Sequence, residues 1–296
     1  MAKGKQQKDK AAAPLFHQDP AAVYDQDHDD AYENAQKAKA HHRKSNMLYN
    51  IAIVFFALLF LVSGGVLAKR FYDDRQTENE FASLQSMIEP VSAEQTADDA
   101  PVKDNTARFA ALQARNPDFM GWISIEGTNL SFPVMYAPSN KDFYLRHDFD
   151  GAYSNYGVPY LDEKCILGQE GASNNLVVYG HNMKTGTIFG CLTEYKKADY
   201  YAAHPTITFD TLYGDGNYEV FGAFAIDVVE DQSFWYNTYL NMDETQFAEF
   251  VNQVKTRSDV DSGITPVYGD ELLTLSTCEY STSNGRYVVC ARKVTP

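Results

Sequence analysis

The sequence of 296 residues has little cysteine and little histidine, with four and seven copies respectively. The cysteines form no CxxC pair, and the histidines show no clustered spacing, so the sequence predicts no zinc site. Two disulfides are arithmetically possible, but a disulfide scaffold is a device of small secreted domains. No metal or other cofactor is therefore expected.

The sequence also lacks the basic excess of a nucleic-acid-binding protein. Its formal net charge is −15, whereas phosphate binding requires a basic face, so nucleic acid is excluded as a partner. An acidic body also does not adhere to anionic lipid head groups by itself. Hydrophobic residues make up 44% of the chain, enough for a core, and the 20 tyrosines and 18 phenylalanines favour β structure.

One segment lacks charge altogether, from Ser45 to Ala68. Its apolar part, LYNIAIVFFALLFLVSGGVLA, is long enough to cross about 30 Å of hydrocarbon as a helix. A signal peptide would begin with a short basic stretch, whereas a polar tail of more than forty residues comes first here. A core helix would show a polar face, and this segment has none. A single membrane span is predicted.

The charges around the span predict its orientation and the layout of the chain. Four basic residues lie between Lys37 and Lys44, against three between Lys69 and Arg75 that two aspartates offset. The positive-inside rule therefore favours a cytoplasmic N-terminus and an extracellular body. The predicted segments are a disordered cytoplasmic tail at 1–46, a transmembrane helix at 47–68, a polar extracellular stalk at 69–104 and a globular domain at 105–296.

The globular domain has the pattern of a mainly β fold. After a short helix around Phe109 and Leu112, apolar residues alternate with period two in runs separated by Gly, Pro and Asn. Eight short strands with turn signals between them favour a closed barrel or a sandwich. The runs are GWISIEG, SFPVMYA, GVPYLDE, NLVVYGHN, TITFDTLYG, YEVFGAFAIDV, ELLTLSTCEY and GRYVVCARKV.

A long helix is predicted between the sixth and seventh strands. Asp243, followed three residues later by Gln246, is the signature of a capping box. The apolar residues that follow have the i, i+3, i+4, i+7 spacing of an amphipathic helix. They are Phe247, Phe250, Val251 and Val254.

Three residues at the ends of predicted strands form a possible catalytic set. A lone cysteine such as Cys278 is more often a small buried hydrophobe than a nucleophile. However, His181 follows the strand NLVVYG, and a hairpin across EYSTSNG would bring Arg286 beside Cys278. A thiolate that attacks a carbonyl, an imidazolium that protonates the departing amine and a guanidinium that stabilises the oxyanion together suit acyl transfer.

These residues resemble a known family. TLSTC at 274–278, the VVYGHN segment that contains His181, and Arg286 in NGRYVV are similar to the corresponding motifs of sortases, the membrane-anchored cysteine transpeptidases of Gram-positive bacteria. The segments DFMGWISIEGTNLSFPVM, FYLRHDFDG and GHNMKTGTIFG, together with the long helix, resemble the class B branch. The resemblance covers about residues 105–296.

The resemblance implies a fold, a reaction and roles for the three residues. The fold would be an eight-stranded sortase-type β-barrel, with Cys278 as the nucleophile, His181 as the general acid and base, and Arg286 as the oxyanion stabiliser. A sorting signal of a surface protein would be cleaved after its Thr, leaving a thioester on the cysteine. An amine, usually on a peptidoglycan precursor, would then resolve the thioester. Class B enzymes generally favour NPxTN-like signals and are often tied to haem-iron acquisition, and some polymerise pilins through a lysine side chain.

Three residues are candidates for substrate binding. Ser276 shares its strand face with Cys278 and is predicted to border the peptide. Leu145, in the YL pair, is expected in the substrate groove, where class B sortases often have Asn four residues earlier. This chain has Lys141 at that place, and Asn140 lies one position away.

Alternatives to the cell-wall transpeptidase are a pilin polymerase, a non-catalytic surface domain and a papain-like hydrolase. The non-catalytic domain draws support from the stalk, the acidic surface, and two departures from class B that are expected on the substrate groove: Lys141, and Val260 where an aromatic residue is common. A papain-like hydrolase requires its cysteine at the start of a helix, whereas Cys278 ends a predicted strand. Reactivity of Cys278 is the observation that separates catalysis from mere binding.

Overall fold

The structure, a computed structural model, describes residues 20–88, 104–168 and 171–294. It divides into two compact units, Met1–Asp73 and Asp74–Pro296. The disorder predicted for residues 1–19 and the part of the stalk predicted over residues 89–103 lie outside the described residues.

The first helix, α1, extends over Pro20–Ser86 and contains the predicted span. Among the described residues it is the one helix long and apolar enough to cross a membrane. Residues 20–46, predicted to be disordered, are helical instead. The physical reason lies in good helix formers such as those of AYENAQKAKA, together with an i,i+4 ion pair of 2.7 Å between Lys37 and Glu33.

The last turns of α1, residues 74–86, belong to the second unit. The sequence predicts a stalk with little to bury here, yet Phe81 and Leu84 are buried in the core of the barrel unit. The ring of Phe81 packs edge-on against Phe132, with 4.9 Å between the ring centroids. The compact unit therefore begins before Asn105 because two apolar side chains, spaced three residues apart on one helix face, pack against it.

The second unit is built on a closed barrel of eight strands, as predicted. The strands join in the order β1-β2-β3-β6-β9-β10-β8-β7, and β7 pairs with β1 to close the ring. Two further strands, β4 and β5, form a separate two-stranded sheet. The strands are β1 Phe119–Ser124, β2 Ser131–Met135, β3 Tyr160–Leu161, β4 Leu167–Gly168, β5 Gly171–Ala172, β6 Asn175–Tyr179, β7 Thr206–Thr211, β8 Asn217–Asp227, β9 Leu272–Cys278 and β10 Gly285–Lys293.

Helical segments surround the barrel. Two short helices, α2 and α3, accompany three 3₁₀ segments, and the longer α4 lies between β8 and β9, which are the sixth and seventh strands of the barrel in chain order. The helices are α2 Ala110–Arg115, α3 Ala198–Ala203 and α4 Glu244–Arg257, and the 3₁₀ segments are Phe143–Leu145, Gly190–Lys196 and Tyr236–Thr238.

The core has two parts, one on each side of β9 and β10. The barrel interior contains Leu273 and Leu275, whereas the outer cluster contains Leu272 and Val288 together with the apolar face of α4. Alternate residues of a strand point to opposite faces. Consequently Thr274, Ser276 and Cys278 share the outer face with Leu272, beneath the segments that lead to α4.

The capping box predicted for α4 is present. The Asp243 carboxylate accepts a hydrogen bond of 2.9 Å from the Gln246 backbone N–H, and the Gln246 side chain accepts one of 3.1 Å from the Asp243 N–H. Asp243→Ala is expected to lower the free energy of unfolding by about 1 kcal/mol, because the first turn loses an N-cap acceptor.

Thermal or denaturant unfolding of the full chain in detergent, followed by near-ultraviolet circular dichroism, measures this loss. The matched control is Asn252→Ala at an exposed position inside the same helix. It should not lower stability, since alanine is a better helix former. Equal stability of the two variants would contradict the role of the cap.

Candidate active site

The parallel pairing of β6 and β9 places His181 and Cys278 at the same rim of the barrel. Tyr179 is paired with Ser276 at the end of this ladder. His181 and Cys278 each lie two residues further along, so they continue the two strands side by side. The Thr277 hydroxyl donates a hydrogen bond of 2.7 Å to the carbonyl oxygen of Gly180 and so fixes the register between the two residues.

The hairpin of β9 and β10 brings Arg286 to the same rim. Arg286 is the direct antiparallel partner of Cys278, as the sequence predicts. The Arg286 Nη1 donates a hydrogen bond of 2.9 Å to the carbonyl of Gly285, which orients the guanidinium plane. Cys278, His181 and Arg286 are all partly exposed, so a peptide can reach each of them.

The three side chains line one open cavity of about 440 Å³. Two of the predicted substrate-binding residues, Ser276 and Leu145, line it as well, and so does Lys141. Asn140 is exposed and is not among the lining residues of this cavity. Val260 is buried in the core rather than in the groove, so the expectation that it shapes the groove is wrong.

A polar floor lies beneath the three candidate catalytic residues. The hydroxyl of Ser276, which is itself buried, is 2.8 Å from the Tyr236 hydroxyl. On the neighbouring strand, the Tyr179 hydroxyl donates a hydrogen bond of 2.7 Å to Asp162 Oδ2. Asn237 Nδ2 donates to the same tyrosine oxygen at 3.2 Å. The floor therefore presents hydrogen-bonded hydroxyl and amide groups to the cavity.

Several residues of the site carry no recognisable sequence signal. Tyr236 and the half-exposed Trp235 belong to the segment between β8 and α4, and both line the cavity. Asn182 donates a hydrogen bond of 2.8 Å to the carbonyl of Cys278, and the Tyr280 hydroxyl donates one of 3.1 Å to the carbonyl of Asn182. Only the position of Asn182, directly after His181, could have marked it.

All four cysteines are free thiols, so neither possible disulfide forms. Burial raises the pKa of Cys165 and of Cys290 to about 12, and it also raises the pKa of Cys191. These thiols stay protonated near neutral pH. Thr274, not Cys278, is the strand partner of Cys290. Within the described residues, no group of three or more His, Cys, Asp or Glu side chains is placed to hold a metal ion.

The electrostatic environment of His181 favours its neutral form. Burial lowers the pKa of the imidazole below its ordinary value of 6.5, and the positive charge of Arg146 lowers it further. A hydrogen bond to the Leu145 carbonyl opposes these effects by stabilising the protonated ring. The His181 ring is therefore half-buried, and its hydrogen bond to the Leu145 carbonyl fixes its orientation.

The Sortase domain family model matches residues 123–294, which is more than half of the chain. The chain belongs to the sortase family. It resembles Sortase B of Staphylococcus aureus, with 27% identity over 247 residues that cover 82% of this chain and 95% of that protein. It also resembles Sortase B of Listeria monocytogenes, with 29% identity over 242 residues that cover 80% of this chain and 93% of that protein.

Solved structures agree with the sequence comparison. The Staphylococcus aureus sortase B–substrate complex matches this sortase with a TM-score of 0.65 and 27% identity, covering 76% of this chain and 99% of that one. The resemblance to class B sortases is confirmed, as is the eight-stranded barrel. The chain is thus a sortase of the cysteine transpeptidase type.

Proposed function

We propose that this sortase cleaves an NPxTN-like sorting signal after its Thr and joins the released surface protein to an amine of a cell-wall precursor. One observation supports this assignment above others: the β6–β9–β10 ladder gathers the Cys278 thiol, the His181 imidazole and the Arg286 guanidinium around one open cavity. The similar Staphylococcus aureus structure is a complex of sortase B with its substrate, which supports a substrate in the corresponding groove of this chain.

In the first half-reaction, the neutral imidazole of His181 takes the proton of the Cys278 thiol, and the resulting thiolate attacks the carbonyl carbon of the Thr residue. Negative charge develops on the carbonyl oxygen, and the Arg286 guanidinium stabilises it. The C–N bond then breaks, and the protonated His181 donates its proton to the departing amine. The result is a thioester between the Thr carbonyl and the cysteine sulfur.

In the second half-reaction, an incoming amine attacks the thioester carbonyl. His181, neutral after the first step, accepts the proton that this amine loses. The tetrahedral intermediate again places its charge near Arg286, and its collapse forms an amide bond and releases the thiolate. His181 then returns its proton to the sulfur, which restores the starting protonation state, so the cycle consumes no external oxidant, reductant or nucleotide.

The proposed location is the cell membrane, with the N-terminus in the cytoplasm and the catalytic unit outside. The uncharged span within α1 and the larger number of basic residues before it support this orientation. The proposed partners are surface proteins that carry a sorting signal and the precursor that supplies the amine.

A fluorogenic peptide library built on the NPxTN pattern tests the proposed function. The full chain in detergent micelles should cleave a subset of the library and, in the presence of a short peptide amine, yield a product linked through Thr. A second arm supplies a lysine side chain as the acceptor, and preferential use of lysine would favour pilin polymerisation. Failure to cleave any library peptide, combined with failure to form any acyl adduct on Cys278, would refute the transpeptidase.

Thiol labelling separates catalysis from a merely binding domain. Cys278 is partly exposed at the rim, whereas burial raises the pKa values of the other three thiols. A maleimide probe should therefore label Cys278 at least about tenfold faster than the others, since the thiolate is the reactive species. Mass spectrometry of tryptic peptides measures the four rates. Equal rates would favour the non-catalytic domain.

Removal of the charge at Arg146 should shift the pH profile of the enzyme. Only a neutral His181 can accept the proton of the Cys278 thiol. Protonation of His181, which occurs below pH 6.5, therefore prevents formation of the thiolate and lowers kcat/KM. Because Arg146 lowers the pKa of His181, Arg146→Gln should raise that pKa and move the acid limb to higher pH. A shift of a few tenths of a pH unit is expected for one exposed charge.

The matched control is Lys184→Gln, which removes an exposed positive charge three residues from the histidine. Its acid limb should coincide with that of the wild type. An unchanged limb in Arg146→Gln, or an equal shift in both variants, would contradict the local origin of the effect.

A further inference from the structure

The imidazole of His181 is oriented by a backbone carbonyl. His181 Nε2 lies 2.8 Å from the carbonyl oxygen of Leu145. A carbonyl oxygen can only accept, so Nε2 carries the hydrogen in this contact. In the neutral ring the other nitrogen, Nδ1, is then unprotonated. The contact therefore determines which nitrogen can exchange a proton with the reacting groups.

The position of that carbonyl depends on an unusual turn. Leu145 is the last residue of the 3₁₀ segment Phe143–Leu145, and Asp142, the N-cap residue directly before it, has the left-handed backbone angles φ 55° and ψ 17°. The Leu145 N–H donates a hydrogen bond of 3.1 Å to the carbonyl of Asp142 and closes the turn. Aspartate tolerates this conformation better than most residues, yet it persists only where the surroundings hold it.

A buried tyrosine holds Asp142 in place. The Tyr160 hydroxyl donates a hydrogen bond of 2.8 Å to Asp142 Oδ1, and burial raises the pKa of Tyr160, so the hydroxyl remains a donor. Tyr160 lies in β3 and is paired with Tyr179 in β6, the strand that leads to His181. The contacts therefore lead from Tyr160 in β3, through the turn between Asp142 and Leu145, to His181, which follows the neighbouring strand β6.

The opposite side of the turn is packed against backbone. Gly157, at φ +60°, lies so close that a Cβ there would be 2.7 Å from the Leu145 oxygen. Beyond His181, Ile188 also has a left-handed backbone, and the N–H of its neighbour Phe189 donates a hydrogen bond of 2.9 Å to the His181 carbonyl. Among the described residues, Asp142 and Ile188 are the non-glycine residues with positive φ. Asp142 precedes the turn whose Leu145 carbonyl contacts the His181 ring, and Ile188 precedes Phe189, whose N–H binds the His181 carbonyl.

We propose that Asp142 and Tyr160 are positioning residues for His181, and that Nδ1 of His181 is the nitrogen that exchanges protons with the Cys278 sulfur and the amine. The proposal deepens the proposed function, because it rests on His181 as the general acid and base. Asp142 acts through the turn: its carboxylate fixes the start of the segment, and the segment presents the Leu145 carbonyl to Nε2. Loss of the hydrogen bond between Tyr160 and Asp142 would let the His181 ring rotate away from the Cys278 thiol.

Other charged and titratable groups line the same cavity as His181, and the kinetic variants leave all of them except Asp142 and Tyr160 in place. They are Lys141, Asp142 and Arg146 from the turn region, Tyr160 in β3, Asp162, Glu163 and Lys164 after β3, Tyr179 in β6, Asp231 and Tyr236 after β8, and Cys278 and Arg286 from β9 and β10. Of these, Arg146 acts on His181 in the same direction as burial. Substitution at Asp142 removes a negative charge as well as the hydrogen bond with Tyr160, whereas Tyr160→Phe removes the hydrogen bond alone.

Kinetics of the full chain in detergent give the first test. Asp142→Ala and Tyr160→Phe should each lower kcat on the order of tenfold, with KM changed less than about threefold, because orientation rather than binding is lost. Asp142→Asn keeps an acceptor oxygen and a residue that tolerates the left-handed conformation, so it should restore most of the activity. The control is Asp199→Ala at an exposed position on α3, which should behave like the wild type.

The acid limb of kcat/KM supplies a readout that a purely structural role would not move. The Leu145 contact raises the pKa of His181, so weakening it should move the limb down, by about 0.5 pH unit. The direction is opposite to that expected for Arg146→Gln. A shift in Tyr160→Phe is the decisive observation, since no charge has changed there.

Nitrogen-15 NMR of histidine-labelled protein in a Cys278→Ala background tests the geometry without activity. His181, assigned through a His181→Asn variant, should show the tautomer protonated at Nε2, and Tyr160→Phe should lower its pKa. This arm remains valid even if no peptide is ever cleaved, so failure of the proposed function and failure of the positioning pair are distinguishable. A His181 protonated at Nδ1, or wild-type kcat and acid limb in both Asp142→Ala and Tyr160→Phe, would overturn the proposal.

Discussion

Cys278→Ala is expected to abolish peptide cleavage, with a loss in kcat of about 10⁴-fold or more, because the nucleophile that forms the thioester is gone. The side chain ends β9 at a partly exposed position, so its truncation to a methyl group should leave the fold and peptide binding nearly unchanged. Stopped assays with the fluorogenic substrate measure the rate, and mass spectrometry of the intact protein detects the missing acyl adduct.

The matched control for this substitution is Cys191→Ala. Cys191 is also a partly exposed free thiol, but it does not line the cavity. It should retain activity within a few-fold and still form the adduct. Residual acylation in Cys278→Ala, or equal losses in the two variants, would show that the nucleophile has been assigned to the wrong residue.

Arg286→Gln is expected to reduce kcat by about 10²- to 10³-fold, the loss typical of removing one oxyanion donor. The guanidinium is oriented by its bond to the Gly285 carbonyl, and Arg286 stands directly across from Cys278 in the ladder. Since a donor aimed at developing charge acts mainly in the transition state, kcat should fall far more than KM rises. Arg286→Lys keeps the charge but not the planar donor set, so it should recover only part of the rate.

Arg292→Gln is the control within the same strand. Arg292 pairs with Glu219 at 3.1 Å near the far end of β10, six residues from Arg286. Its replacement should leave kcat within about twofold, since exposed ion pairs contribute little. Steady-state kinetics with both variants distinguish the roles: a loss confined to KM in Arg286→Gln would assign the residue to ground-state binding instead.

The strands, their order of appearance and the helix α4 could be predicted because each has a local signal. Period-two alternation gives the strands, and Asp243 with Gln246 gives the start of α4. The meeting of Cys278 and Arg286 was also predictable, since only a short turn joins β9 to β10. The position of His181 just after β6 was predictable from the same alternation. The pairing of β6 with β9 was not, because it is a property of the closed barrel.

The rest could not be predicted because it depends on contacts distant in sequence. Residues 74–86 look polar apart from a few apolar positions, and only the surface of the barrel makes Phe81 and Leu84 core residues. The contact between His181 and the Leu145 carbonyl involves a backbone atom, which sequence cannot mark. The absence of Asn140 from the cavity lining also depends on the fold of the turn before Leu145, which the sequence does not mark.

The parallel pairing of β6 with β9 has a consequence for how the enzyme matures. Gly180 and Thr277, which a hydrogen bond joins at the rim, are 97 residues apart in the chain. Contacts of such high sequence separation form late and slowly during folding. During synthesis, Cys278 therefore leaves the ribosome 97 residues after His181. A partly synthesised chain therefore contains its histidine before the proposed nucleophile, and the candidate site can assemble only once β9 and β10 have paired with the rest of the barrel.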